Sequence, residues 1–213
     1  CDGEITVNPS IQLKPGASPN DFEFIYTWTF VDASGNLSSI SQKIIVKDDI
    51  APMPPAAPAD LNLQCASELP PVVDLTAIDN CSGPITVSPT VTIAPGASPS
   101  DFVEVRTWTF VDEDGNSSNV SQRIVVRDNI PPSFEFCSGD INETVAFGET
   151  GKIINYLPAV ASDNCSVPAI VLTSGLASGS IFPLGTTTVT YVATDEAGNS
   201  AECSFDVTVT ADP

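Results

Sequence analysis

Three kinds of acidic site recur along the 213-residue chain. One is a pair that closes a β run, Asp48-Asp49 and then Asp128-Asn129. Another is the triplet Asp79-Asn80-Cys81, found again as Asp163-Asn164-Cys165, and the third is the first residue of an Asp-x-x-Gly-Asn turn, Asp112 and Asp195. Carboxylate and carboxamide oxygens beside backbone carbonyls are the ligands a hard cation takes, so if these sites meet in space their chemistry is Ca²⁺ binding. The plain alternative is that Asp and Asn are ordinary turn formers. Composition narrows the rest. The chain has no His, which removes Ser-His-Asp and Cys-His relays, an imidazole base and His-bearing zinc sites. Carboxylate, thiol, Ser-Lys and metal chemistry stay open. With Lys+Arg 7 against Asp+Glu 27 the net charge is −20, which sets the chain against nucleic-acid phosphates and anionic lipid head groups.

The elements that must position these residues are legible from a repeat. A shift of 80 places lays Cys1 on Cys81, Trp28 on Trp108 and Asp32 on Asp112, and 28 of the 50 positions in 1–50 are identical to those in 81–130. From the Cys to the Asp of the turn the distances are 31, 31 and 30 residues (Cys1 to Asp32, Cys81 to Asp112, Cys165 to Asp195). Proline clusters after Asp48-Asp49 and Asp128-Asn129 divide the chain into 1–50, the C-terminal part of a unit, then 51–130 and 131–213. A start at Cys1 with no charged and apolar leader behind it reads as a mature fragment or an internal slice. Apolar residues at 42% and charged ones at 16% favour packed cores over disorder, and no apolar run approaches the ~18 residues of a membrane span.

Within each unit, short β runs lie between Gly, Pro, Ser and Asn, at the spacing of a sandwich. Thr186–Thr194 and Cys203–Val209 alternate around the turn 195–199 and predict a hairpin. Ile44/Val46, Ile124/Val126 and Val207/Val209 share a register, with Lys43/Lys47 and Arg123/Arg127 on the other face. Trp28, Trp108 and Tyr191 all stand four residues before the Asp of the turn, and this register predicts packing in the core rather than a sugar-stacking platform.

Residues 131–213 resemble the hyalin repeat. The match runs through Pro131-Pro132, Cys137, Asp140-Ile141, Asp163-Asn164-Cys165, Thr173-Ser174-Gly175, Phe182-Pro183-Leu184-Gly185-Thr186-Thr187, Tyr191, Asp195, Gly198-Asn199 and Cys203-Ser204-Phe205. Residues 1–130 are similar only through the acidic motifs, and look like the tandem variants of long surface adhesins that gliding bacteria export by the type 9 pathway. The resemblance implies an all-β chain of tandem immunoglobulin-like β-sandwich domains arranged end to end. It also implies an extracellular, cell-surface stalk or adhesin segment for adhesion or gliding motility, not an enzyme. Its partners would be neighbouring repeats of the same polypeptide, with a surface polysaccharide or another cell-surface ligand gripped elsewhere, and neither nucleic acid nor membrane insertion.

In such a sandwich the chain enters at the end that carries the B–C and F–G loops, so the acidic motifs should converge. One joint would gather Asp48, Asp49, Asp79, Asn80 and Asp112; the next, Asp128, Asn129, Asp163, Asn164 and Asp195. Clustered carboxylates repel unless a cation neutralises them, which predicts Ca²⁺ at each joint. Asp114, present only in the second unit, is expected in solvent.

Six cysteines in a secreted setting point to disulfides. Cys137 and Cys203 of the third unit align with Ala57 and Val120 of the second, so both are lost together there, as bonded partners would be. The expected bonds are Cys65–Cys81 and Cys137–Cys203, with Cys1 lacking its partner and Cys137–Cys165 left open as the alternative. Asn36, Asn116 and Asn142 open glycosylation sequons by pattern, and a Lys-Asn crosslink is excluded from the lysine-free second unit. Two other functions stay on the table: accessory carbohydrate-binding or spacer modules of a secreted polysaccharide-degrading enzyme, which need an exposed aromatic cluster, and a hydrolase built on a carboxylate pair, which near-identical repetition disfavours.

Overall fold

Period-two alternation broken by Gly, Pro and Ser produces strands throughout the computed structural model, which describes residues 3–212. In chain order the strands are β1 (Ser10–Pro15), β2 (Phe22–Val31), β3 (Leu37–Val46), β4 (Leu61–Leu63), β5 (Leu75–Asp79), β6 (Gly83–Val87), β7 (Thr90–Pro95), β8 (Phe102–Val111) and β9 (Ser117–Val126). They continue as β10 (Ser133–Phe136), β11 (Ile141–Val145), β12 (Gly151–Ile153), β13 (Val160–Ser162), β14 (Ala169–Ser174), β15 (Ile181–Pro183), β16 (Gly185–Thr194) and β17 (Ser200–Ala211). A single 3₁₀ turn, Ala66–Glu68, is the one helical element among the described residues. The sheets have the orders β1-β2-β3, β4-β9-β8-β7, β5-β6, β11-β17-β16-β14, β12-β15 and β10-β13. The fold is all-β, as the alternation predicts, and immunoglobulin-like, as the hyalin-repeat resemblance implies.

By its contacts the chain forms two units. One consists of Cys1–Pro58, Val72–Val91 and Arg106–Gln122; the other of Ala59–Pro71, Thr92–Val105 and Arg123–Pro213. In the first, Ala77, Trp108 and Phe110 are fully buried and are covered by Leu75, Ile85 and Val87 of the β5-β6 pair. In the second, Ile154, Tyr156, Phe182, Val189, Phe205, Val207 and Val209 make the core. Apolar-in alternation thus holds for Ile124/Val126 and Val207/Val209. Ile44 and Val46 depart from it, at 40% and 38% exposure, because no second sheet covers β1-β2-β3 among the described residues.

Each Asp-x-x-Gly-Asn motif closes a hairpin in the same way. Asp112 N–H donates to Asn116 O, and Gly115 takes a φ of 88°, a left-handed conformation open to glycine at no steric cost. The turns at 32–36 and 195–199 repeat this geometry. In the first copy Asp32 Oδ1 accepts the Ser34 and Asn36 backbone N–H groups, and Oδ2 accepts the Asn36 side-chain amide. These bonds, that of the Asn36 side chain first, favour the charged form and hold Asp32 below its ordinary 3.8. A depressed folded value gives stability that is complete above the unfolded value and is lost as pH falls through the folded one. NMR titration of carboxyl carbons is expected to place the Asp32 midpoint below 3.8 and to move it upward in Asn36→Ala; an Asp32 midpoint unchanged by that substitution would contradict the assignment.

Candidate metal centre and the cysteines

Asp48, Asp79 and Asp112 converge. Each is buried, and one oxygen from each lies within 4.8 Å of the others. Local hydrogen bonding explains how they are aimed. Asp79 Oδ1 accepts the N–H groups of Cys81 and Ser82 at 2.9 and 2.7 Å, an Asx turn that leaves β5. Asp48 Oδ1 accepts Ile50 N–H at 3.1 Å, while Asp112 spends Oδ1 on the N–H groups of Asp114 and Asn116 and Oδ2 on the Asn116 amide. That amide also donates to the Asp48 backbone carbonyl at 3.2 Å, which ties the closing strand to the turn. For Asp112, burial pushes the carboxyl up, but the Asn116 and neighbouring backbone donors outweigh it and the group is held below the usual range.

Two oxygens remain over: Asp48 Oδ2 and Asp79 Oδ2 are buried without a partner. An unpaired buried carboxylate oxygen is costly, and two beside a third carboxylate more so, unless a cation takes them. Asp49 and Asn80 are exposed beside the cluster, and the Asn80 amide donates to Cys81 Sγ rather than turning its oxygen inward. Asp114, expected in solvent, is half-buried: it accepts from the Asn20 amide through Oδ2, and its Oδ1 is buried without a partner. The sequence signal for it was an acid at a place where the other two turns carry Ser34 and Ala197.

The cysteines correct one expectation. Cys137 and Cys203 are bonded, with Cα atoms 6.3 Å apart. Cys65 is bonded to Cys165, at 5.2 Å, and not to Cys81. The reason lies in the pairing of β4, which runs parallel to the end of β9 with Leu63 opposite Val126. Leu63 O accepts Arg127 N–H and Gln64 Oε1 accepts Asn129 N–H, so Cys65 stands where the chain leaves β9, in the same unit as Cys165. Cys81 belongs to the other unit and is exposed and unbonded. Although the residue is exposed, desolvation of its sulfur, then the charge and side-chain hydrogen bonding of Asp48, and then the charges of Asp79 and Asp114 push its thiol up. Cys1 lies outside the described residues.

Residues 127–209 match the family model described as HYR domain, and 53–126 the one described as HYR-like domain with 4 cysteines. Residues 127–209 are an HYR domain. The chain is 35% identical over 194 residues to hyalin of Lytechinus variegatus, covering 87% of this chain and 36% of that protein. It is 32% identical over 195 residues to hyalin of Strongylocentrotus purpuratus, covering 86% and 16%. It therefore spans about a third of one hyalin and under a fifth of the other. Over 142 residues it is 29% identical to "Sushi, von Willebrand factor type A, EGF and pentraxin domain-containing protein 1" of Rattus norvegicus, covering 65% and 4%. Among solved structures it is similar to extracellular cadherin domains 1–4 of protocadherin gamma B7 (16% identity, 90% of this chain and 57% of that, TM-score 0.33) and to Sidekick-1 immunoglobulin domains 1–5 (16%, 89% and 45%, TM-score 0.29). These relatives lend no support to a gliding-bacterium source or to type 9 export.

The HYR domain keeps the acidic arrangement in altered form. Asp128 and Asp163 come together beside Cys165, whose sulfur is committed to the disulfide and offers no thiolate. Asp163 Oδ2 accepts the Cys165 and Ser166 N–H groups, and its Oδ1 is buried without a partner. Asp195 is buried with both oxygens held by Asn199, whose amide also donates to the Asp128 carbonyl. Asn129 and Asn164 are exposed, and the Asn164 amide faces Cys65 and Cys165 Sγ. The HYR domain's own cluster thus brings two carboxylates together, against three in the Asp48 cluster. Of the aromatics in shared register, Trp108 is fully buried, and Trp28 and the HYR domain's Tyr191 are half-buried.

Proposed function

We propose that the chain is a non-catalytic segment of an extracellular, adhesion-type repeat array, divided as 1–50, 51–130 and 131–213, whose joints are held by a disulfide and by Ca²⁺. The observation that carries this is the Cys65–Cys165 bond, which fastens the HYR-like region 53–126 to the HYR domain 127–209. A covalent tie between successive modules suits a protein that hands position from one repeat to the next. Two disulfides favour an oxidising, extracellular setting. Among the described residues no helix is long and apolar enough to cross a membrane.

The unpartnered, buried Asp48 Oδ2 and Asp79 Oδ2 support the calcium part. Asp48, Asp79 and Asp112 would hold the ion, which supplies the positive charge that their mutual repulsion lacks. Extracellular modules bind Ca²⁺ with dissociation constants of ~10⁻⁴–10⁻³ M. At ten times that concentration the ion stabilises by about 1.4 kcal/mol, a rise of several degrees in melting temperature. The test is thermal melting of the chain with Ca²⁺ or with chelator, beside Asp48→Asn and Asp79→Asn. The expected result is a calcium-dependent rise in the parent, absent in both variants, and apo forms of the variants that melt no lower than the apo parent. Identical melting of the parent with and without Ca²⁺ would leave these acids as turn residues.

A further inference from the structure

We propose that Asn142 is a glycosylation site: its side-chain nitrogen carries an N-linked oligosaccharide, and the fold turns away the two other sequons, at Asn36 and Asn116. The inference rests on the extracellular reading above, since the chain meets the sugar donor only on a secretory route. Pattern alone offers all three sites. The native structure decides which of them can hold a bulky, hydrated group on its nitrogen.

Asn142, Glu143 and Thr144 lie in β11, the end strand of the sheet β11-β17-β16-β14. Ile141 and Val145 pack against the core, so a period of two puts Asn142 and Thr144 together on the opposite face, where both are exposed. The acceptor nitrogen and the hydroxyl that completes the sequon are thus presented side by side. Next to Asn142 in register stand Thr208 of β17 and then Thr186 of β16, whose hydroxyls are 3.0 Å apart. A first sugar on Asn142 lies against these hydroxyls at the margin of the sheet and displaces no apolar contact. It also covers an end strand, which otherwise invites pairing with another chain.

The other two nitrogens are committed to turns. An Asn amide has two N–H bonds, and a glycan replaces one of them. Asn116 donates to Asp112 Oδ2 at 2.9 Å and to the Asp48 carbonyl at 3.2 Å, and the Ser118 hydroxyl of the same sequon donates to Pro52 O at 2.6 Å. A sugar there breaks the tie between the closing strand and the turn. Asn36 donates to Asp32 Oδ2 at 2.6 Å, and a sugar on that nitrogen crowds the contact that does most to keep Asp32 charged.

In the transfer, Asn142 Nδ2 attacks the anomeric carbon of a polyprenyl diphosphate-linked oligosaccharide. The carbon–nitrogen bond forms and the carbon–oxygen bond to the diphosphate breaks. The polyprenyl diphosphate leaves with the electron pair, and one Nδ2 proton passes to a base of the transferase.

The experiment expresses the full chain behind a cleavable secretion signal in a eukaryotic host. Chain with both disulfides closed, from lumen and medium alike, is treated with peptide-N-glycosidase in heavy-oxygen water, which converts each glycosylated Asn to a labelled Asp, and is mapped by mass spectrometry. The label is expected at position 142. The mobility shift that the enzyme produces should be lost in Asn142→Gln and in Thr144→Ala, and should return in Thr144→Ser, which restores the sequon. Asn142 found bare, or label shared equally among the three sequons, overturns the proposal. Because lumenal chain is mapped as well, failure to reach the medium counts against the extracellular reading and leaves the acceptor identified.

Discussion

Replacing Cys65 and Cys165 together by serine is expected to lower the unfolding free energy of the unit that holds them by about 4–5 kcal/mol. The bond closes a separation of 100 residues, and in the chain-entropy account loops of that length give the largest stabilisation a single disulfide supplies. Removing both sulfurs adds no new thiol beside the Cys81 that the parent already carries, so the loss belongs to the missing crosslink. The Asx turn at Asp163 and the Glu68 bonds at Gln64 and Cys65 are local and should survive. Guanidinium unfolding followed by circular dichroism should show a lower midpoint in the double variant, with the Cys137–Cys203 bond intact. A midpoint equal to that of the parent would mean that the denatured chain gains nothing from release of this loop.

Trp108→Ala is expected to cost the other unit about 3–5 kcal/mol. The indole is fully buried against Ala77, Phe110 and the β5-β6 pair, and its Nε1–H donates to Val73 O at 3.0 Å. Truncation removes the largest side chain of that core, leaves a cavity and strips a carbonyl of its partner. Trp108→Phe separates the contributions: it keeps most of the ring and loses the donor, so about 1–2 kcal/mol should go with the hydrogen bond alone. Trp28→Ala, at the same register on a half-covered sheet, should cost less than Trp108→Ala. Calorimetry of the three variants checks the order, and a Trp28→Ala loss equal to that of Trp108→Ala would contradict it.

Much of the fold was legible because strand physics is local. Alternation in Thr186–Thr194 and the Asp-x-x-Gly-Asn turn suffice to specify β16, the hairpin and β17. The shared register of Trp28, Trp108 and Tyr191 was legible for the same reason, since a period of two places all three on one face of their strands. The Cys65–Cys165 bond was not. Sixteen residues separate Cys65 from Cys81 and a hundred separate it from Cys165, and only the parallel pairing of β4 with β9 makes the longer separation the short one in space. Parallel pairing leaves no turn in the sequence to announce it. The acidic residues fall between these cases. Their types and spacing are visible, but which oxygen is left without a partner depends on which N–H groups the turns supply, and that also decides that Asp195 is satisfied and Asp163 is not.

The position of Cys137 and Cys203 has a consequence under load. Cys137 lies just before β11, which runs parallel to the end of β17 from Ile141–Val207 to Val145–Ala211. Tension that enters the HYR domain ahead of Cys137 and leaves after Ala211 therefore crosses the disulfide directly into β17, and the 66-residue span between the two sulfurs is taken out of the force path. With the bond closed, a pulled domain can lose its packing without paying out that span. With it reduced, the parallel β11-β17 ladder is loaded in shear, and once it parts, on the order of 200 Å of extended chain becomes available as slack.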